Sequence, residues 1–184
     1  MFKKITLISA VIISSLSLTA HASPYLGANI GINTNTTSNS GNGNPGNFRG
    51  IPFGLVVGYD SMISDNFYLA GELEGTLGTA EISNNNNLKS TYGYGASVMP
   101  GVMLSDYTIT YLRLGLVKSH FSSGSENVTG GRVGLGLETS LTQNIYLRGE
   151  YDYTGYRSFT GRAGTTVNSP RSDMFRAHFI YKFE

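Results

Sequence analysis

The chain contains no cysteine and no tryptophan, and only 14% of its 184 residues are charged. Without cysteine no disulfide can staple an exported domain, so stability has to come from packing or from closing a sheet on itself. Charge of one sign is lacking too. Setting Lys3 and Lys4 aside leaves 11 of the 13 basic residues against 12 acidic ones, a formal balance of −1 that offers no footprint for nucleic acid. Beyond residue 22 no uninterrupted apolar run approaches the ~20 residues of a membrane helix. No stretch of ten residues keeps a convincing helical period. A chain of this kind that crosses a membrane does so with strands.

Turning to what is present, Lys3 and Lys4 open a mostly apolar run from Ile5 to Leu18, followed by Ala20-His21-Ala22, a small-x-small cleavage signal. These features predict a secretory signal peptide over residues 1–22, removed after Ala22; the apolar run is too short for a membrane anchor. The remaining residues, 23–184, are enough for one domain with its own core.

From Tyr25 onward the dominant period is two, which predicts an all-β protein. Eight segments of about the ten residues a membrane strand requires can be laid out. They are 24–33, 51–60, 67–78, 91–103, 107–118, 130–141, 145–156 and 171–183. The joints alternate. Residues 34–50, 79–90, 119–129 and 157–170 are long and rich in Asn, Ser, Gly and Thr, whereas 61–66, 104–106 and 142–144 are brief. Long, short, long, short gathers the long loops at one end of an up-and-down sheet and both termini at the other. The expected fold is an eight-stranded antiparallel up-and-down transmembrane β-barrel.

Each segment has two unlike faces. Phe67, Leu69, Leu73 and Leu77 oppose Tyr68, Glu72, Glu74 and Thr76; Val133, Leu135 and Leu137 oppose Arg132, Gly134, Gly136 and Glu138. Phe175, Ala177, Phe179, Tyr181 and Phe183 oppose Met174, Arg176, His178, Ile180 and Lys182. Alternation alone does not say which face is inside, because a soluble ligand-binding barrel reverses the order of a membrane barrel. Three features favour charge inside. The polar faces are rich in glycine (Gly54, Gly58, Gly93, Gly95, Gly134, Gly136), as a bore only wide enough for its own side chains demands. Glu72, Glu74, Glu138, Glu150 and Asp152 balance Arg113, Arg132, Arg148, Arg176 and Lys182. Tyr59, Phe67, Tyr181 and Phe183 border the apolar face near the short-turn end, where an aromatic girdle belongs. A one-residue slip of 145–156 would turn Arg148 to lipid at a cost of roughly 2–4 kcal/mol.

Residues 133–156 carry a likeness. Gly134-Leu135-Gly136, the turn Leu141-Thr142-Gln143-Asn144 and the strand Leu147-Arg148-Gly149-Glu150-Tyr151-Asp152-Tyr153-Thr154 together resemble the penultimate hairpin of the opacity-type, OmpA-like family of eight-stranded outer-membrane barrels. The resemblance implies a Gram-negative outer membrane, contact with outer-membrane lipid and lipopolysaccharide, and recognition by the outer-membrane assembly machinery. Phe179, Tyr181 and Phe183 stand where that family carries its assembly signal, although Glu184 follows the usual last aromatic. No peptidoglycan-binding domain is expected after it. Relatives of this kind serve as surface antigens, adhesins or envelope-integrity factors, which implies a host or matrix ligand held by the loops.

Candidate chemistry is sparse. Gly130 to Gly136 superficially resembles a phosphate-binding loop, but no helix follows it, and such a motif has meaning only between a strand and a helix. His120, with Ser119, Ser122, Ser123 and Glu126 near it, raises the possibility of a lipid A deacylase, yet no third group fixes the imidazole. No catalytic residue, metal site or cofactor is expected. The residues singled out are a charge network in the bore: Glu72, Glu74, Arg113, Arg132, Glu138, Arg148, Glu150, Asp152, Arg176, His178 and Lys182. Its favoured reading is a plug; a small-conductance channel is the alternative.

Overall fold

The computed structural model describes residues 22–40, 44–85, 89–122, 127–160 and 166–183. Residues 1–21, which include most of the expected leader, together with 41–43, 86–88, 123–126, 161–165 and Glu184, lie outside the described residues. Ten strands follow in order: β1 (Ser23–Ser40), β2 (Asn44–Ser64), β3 (Phe67–Asn85), β4 (Ser90–Ser105), β5 (Thr108–Phe121), β6 (Asn127–Ser140), β7 (Ile145–Tyr156), β8 (Phe159–Thr160), β9 (Thr166–Val167) and β10 (Arg171–Lys182). Eight are long, each antiparallel to its neighbours in the sequence β1 to β7 then β10. β10 then pairs with β1, from Tyr25↔Lys182 to Thr36↔Arg171, so the sheet closes. Closure gives every central strand two partners and leaves no long edge unpaired. β8 and β9 form a small ribbon in the last long loop, joined to β1 through Ser40↔Val167.

The second and third short joints are where the sequence puts them to within two residues; the first, expected over 61–66, shrinks to 65–66 because β2 runs to Ser64, and the long joints also differ from expectation. Much of 34–50 is strand: Thr34↔Arg49, Asn35↔Phe48, Thr36↔Asn47 and Thr37↔Gly46 continue the β1–β2 ladder. β3 runs on to Asn85 and pairs with β2 as far as Asn47↔Asn85. The composition of these segments reads as loop because Asn, Ser, Gly and Thr are common in loops; here Asn35, Thr37 and Phe48 turn to a buried inner face while their backbone groups pair. At 18, 21 and 19 residues, β1, β2 and β3 exceed the ~10 needed to cross a bilayer. The excess is a projecting extension at the loop end.

Two irregularities lie on β3. Gly54↔Thr76 is followed by Phe53↔Gly78, and Gly50↔Glu81 by Arg49↔Ser83, so Leu77 and Ile82 are each an extra residue with no cross-strand partner on β2. Each such bulge breaks the alternation of faces. Thus Thr79 is buried although simple counting from Glu74 sends it outward. On β6, β7 and β10 the alternation runs unbroken over most of the strand.

The burial pattern inverts that of a soluble protein. Leu73, Leu116, Leu135 and Phe175 are 60–66% exposed, whereas Arg113 and Arg148 are 0% exposed. A belt of exposed aliphatic and aromatic side chains surrounds an ionised core. In water this arrangement would waste every favourable transfer term; against hydrocarbon it is the stable one.

Candidate functional site

The bore of the barrel holds the densest cluster of chemistry-bearing side chains. It starts at the short-turn end with Lys182 on β10, which pairs with Asp60 of β2 and, at 2.7 Å, with Glu138 of β6. Glu138 accepts from Arg148 Nε at 2.9 Å and Nη2 at 2.7 Å. The other amino group of Arg148 pairs with Glu72 of β3. Glu72 in turn accepts from Arg113 Nη2 on β5 at 2.6 Å. Arg113 donates through Nε to Glu150 at 2.8 Å and through Nη1 to Glu74 at 3.2 Å. Arg176 joins Glu74 at 2.9 Å, Glu150 at 2.7 Å and Asp152, and Arg132 closes on Glu74. The result is one continuous chain of ion pairs from Asp60 to Arg132.

Alternation explains the assembly. Arg148, Glu150 and Asp152 occupy every second position of β7, and Arg176, His178 and Lys182 do the same on β10, so one pleat points each set inward. Cross-strand register then brings Arg148 opposite both Glu138 and His178, and Glu150 opposite Arg176. Glu72, Glu74, Glu138 and Glu150 each meet more than one guanidinium nitrogen, the geometry in which buried charge is tolerated, whereas Asp152 accepts from Arg176 alone and its Oδ1 is left without a hydrogen bond. His178 is the least engaged member. Its Nε2 stands 3.6 Å from Glu150 Oε1, beyond hydrogen-bond reach, and neither ring nitrogen is hydrogen-bonded.

Tyrosines and glycines complete the packing; Gly58 and Gly136 are among the polar-face glycines expected to make room in the bore, whereas Tyr25 and Tyr111 were not singled out in the sequence. The Tyr25 hydroxyl donates to Glu72 at 2.8 Å and that of Tyr111 to Glu150 at 2.7 Å. The guanidinium carbon of Arg148 lies 5.3 Å from the centroid of each ring. A Cβ on Gly136 would sit 2.2 Å from the Tyr111 ring and one on Gly58 2.3 Å from that of Tyr25. Those glycines therefore make the space in which two tyrosines reach the carboxylates. Asp60 was also missed. Tyr111 shares the parity of Arg113 on β5, which is the signal that finds it; Asp60 lies at a strand end, where parity is least secure.

Both mouths are distinct. Above the ion pairs, at the loop end, Val117, Phe121, Val128 and Tyr156 form an apolar cap, with Phe121 and Tyr156 edge to face at 5.1 Å. At the turn end an open cavity of about 680 Å³ runs inward to Tyr68, Tyr146 and Lys182. The Lys182 ammonium stands 4.1 Å from the Tyr146 ring centroid and helps to floor that cavity.

The possible deacylase residues do not converge. His120 faces outward, stacked on Tyr92 at 4.7 Å, with Nδ1 3.2 Å from Asn127 Oδ1. Ser119 points the opposite way, into the bore, where its hydroxyl is 3.0 Å from that of Tyr156. Ser123 and Glu126 lie outside the described residues. The glycine-rich run 130–136 lies within β6. Phe179, Tyr181 and Phe183 are about half exposed on the outer face at the turn end, together with Tyr59 and Phe67.

No curated protein matches the chain in sequence. Among solved structures, neisserial surface protein A is similar at 20% identity and a TM-score of 0.58, over 88% of this chain and 99% of that one. Ail, the attachment invasion locus protein of Yersinia pestis, in complex with the heparin analogue sucrose octasulfate, is similar at 18% identity and a TM-score of 0.51, over 87% of this chain and 99% of the other. At these identities the likeness is one of fold. A family model, the outer membrane protein beta-barrel domain, matches residues 5–183. Because that match spans nearly the entire chain, the protein belongs to the outer membrane protein beta-barrel family, as an eight-stranded barrel that crosses a Gram-negative outer membrane with its aliphatic rows against lipid.

Proposed function

We propose that the protein is a surface-display barrel: a rigid, non-conducting membrane anchor that holds the β1–β2–β3 extension and the remaining loops outside the cell, in a structural, antigenic or adhesin-like role. The observation that carries this reading is the continuous ion-pair chain. All eight long strands contribute to it or hold it in place, β1 through Tyr25 and β4 through Ser97, whose hydroxyl accepts from Arg113 at 3.4 Å. An eight-stranded bore is just wide enough for such side chains to fill it. What remains available for recognition is the outer end, where projections on a rigid scaffold commonly carry function. The sugar-analogue complex of Ail, a barrel of the same fold, supports placing a polyanionic host or matrix ligand among those to be tried first.

In this reading the leader is removed after Ala22, and Phe179, Tyr181 and Phe183 form the signal by which the assembly machinery takes up the strand. The network of Glu72, Glu74, Arg113, Arg132, Glu138, Arg148, Glu150, Asp152, Arg176, His178 and Lys182 acts as the plug. No catalytic step is assigned to any of these residues.

The test is a binding screen against host-cell and matrix components, heparin included, with purified barrel and with a version shortened between 34 and 50. Binding lost on shortening supports an adhesin-like role; a null result for both favours a purely structural one. Planar-bilayer recording tests the plug. Silence is expected, whereas discrete openings that change when Glu150 or Arg148 is neutralised would establish the channel instead.

A further inference from the structure

Charges on the outward face are unevenly distributed. Arg49, Arg157 and Arg171 are exposed and Lys118 half-buried, all outward and all at the loop end, while the exposed charged residues of the short turns are Asp65 and Asp106. Among the described residues, no carboxylate forms an ion pair with Arg49, Lys118, Arg157 or Arg171; Lys89, by contrast, is 3.5 Å from Glu81.

Three of these cations frame one place on the wall. Gly131 of β6 pairs with Gly155 of β7, and the same row continues to Leu116 of β5 on one side and Arg171 of β10 on the other. One step toward the loops, Lys118 pairs with Thr129, whose carbonyl oxygen accepts from the Arg157 backbone N–H at 3.2 Å. One step toward the membrane centre lie Leu114, Val133 and Tyr153. A Cβ built on Gly131 or Gly155 meets nothing within 4 Å, so the floor is open space. The Arg171 guanidinium is steadied by Nε donating to Thr36 Oγ1 at 3.0 Å. Asp173, the one described carboxylate on the outward face of β5, β6, β7 and β10, is held by the Tyr151 hydroxyl at 2.6 Å.

Depth decides what meets this patch. Arg171 is ten residues from Tyr181 on the same strand, about 33 Å of chain at ~3.3 Å per residue, or roughly 25 Å along the normal for a strand tilted ~40°. That equals the height of the apolar band of an outer-membrane barrel. The three cations therefore stand at the headgroup level of the outer leaflet, above an aliphatic wall.

We propose that Lys118, Arg157 and Arg171 form a binding site for one outer-leaflet glycolipid bearing two phosphate groups, whose sugar backbone lies over the Gly131–Gly155 floor and whose acyl chains run down past Leu114, Leu116 and Val133. Charge selects this class of lipid. A phosphodiester lipid brings about one negative charge, whereas each phosphomonoester carries about −1.5 to −2, so two of them match three cations left without carboxylate partners. Arginine also favours planar, bidentate phosphate recognition. The site rests on the membrane placement of the barrel and is independent of the proposed loop ligand.

Native mass spectrometry of the purified barrel in detergent tests it, with diphosphorylated lipid A, monophosphoryl lipid A, phosphatidylglycerol and inorganic phosphate as probes. Wild type should retain one diphosphorylated lipid A, with at least tenfold weaker retention of the monophosphoryl form. The triple variant Lys118→Ala, Arg157→Ala, Arg171→Ala should lose retention at least tenfold, and Lys89→Ala should not. Gly131→Leu puts a side chain on the floor from a Cβ that meets nothing within 4 Å, and should keep heat-modifiable folding while losing the lipid. Equal retention by the triple variant or by Gly131→Leu would overturn the site. So would equal retention of phosphatidylglycerol, which would indicate bulk charge alone, or full competition by inorganic phosphate, which would indicate a plain anion site.

Discussion

Arg148 faces a severe constraint. It is wholly enclosed, pairs with Glu72 and Glu138 at once, and stands between the rings of Tyr25 and Tyr111. Removing one partner of a buried pair leaves the other uncompensated, at a cost of about 3–5 kcal/mol. Arg148→Met should lose that much in urea unfolding of the lipid-inserted barrel. Arg148→Lys should fall between the two, because a point charge cannot span both carboxylates as a guanidinium does. Gly136 tests the same region by volume. Gly136→Val drives atoms into the Tyr111 ring, breaks the 2.7 Å bond to Glu150 and should cost about 1–3 kcal/mol. Adding Tyr111→Ala should recover part of that loss, and strict additivity of the two changes in a double-mutant cycle would contradict the contact. Most charged members of this network were legible from sequence because their spacing is two. Their pairing was not, since it depends on which strands lie opposite.

For the strands, depth in the bilayer sets the scale of every outward substitution. Leu135 lies at the middle of β6 and Thr129 near its loop end, on the same face. Arginine at the midplane costs roughly 2–4 kcal/mol and near an interface roughly 0–1. Leu135→Arg should therefore destabilise the barrel severely, and Thr129→Arg hardly at all, in equilibrium unfolding into lipid vesicles. Equal losses would mean that β6 is not tilted through the membrane as described. The periodicity of β6, β7 and β10 could be read directly because nothing interrupts it. The β1–β2–β3 extension could not, because Asn, Ser, Gly and Thr write the same composition into a paired polar strand and into an irregular loop. Nor were the bulges at Leu77 and Ile82 legible, since an extra residue shows itself only against a partner strand.

At the scale of the whole molecule, the barrel is an ionic core inside a hydrocarbon-compatible shell, the reverse of a soluble domain. Nitroxide labels at Leu135 and Leu147 should be relaxed by oxygen dissolved in the acyl region and shielded from aqueous nickel chelate. A label at Asn47, on the projecting ribbon, should behave oppositely. Water contact at Leu135 and Leu147 would reverse the inside and outside of the molecule and remove the basis of every argument above. Because the sheet closes on itself through β1 and β10, unboiled protein should also migrate apart from boiled protein in detergent gels. A single migrating form would mean that closure is not the main source of its resistance.

The period of two, the alternating joint lengths and the balance of buried charge were fixed by the order of residues alone, because each is a property of one strand or one connection. Which face meets lipid was also accessible, since arginine and glutamate rows are too costly in hydrocarbon. Tertiary structure alone decided which carboxylate meets which guanidinium, how Tyr25 and Tyr111 enter the space left by Gly58 and Gly136, and how Lys118, Arg157 and Arg171 come to surround one pair of glycines. Each of those depends on register between strands distant in sequence. Register is set by the closure of the entire barrel rather than by any segment of it.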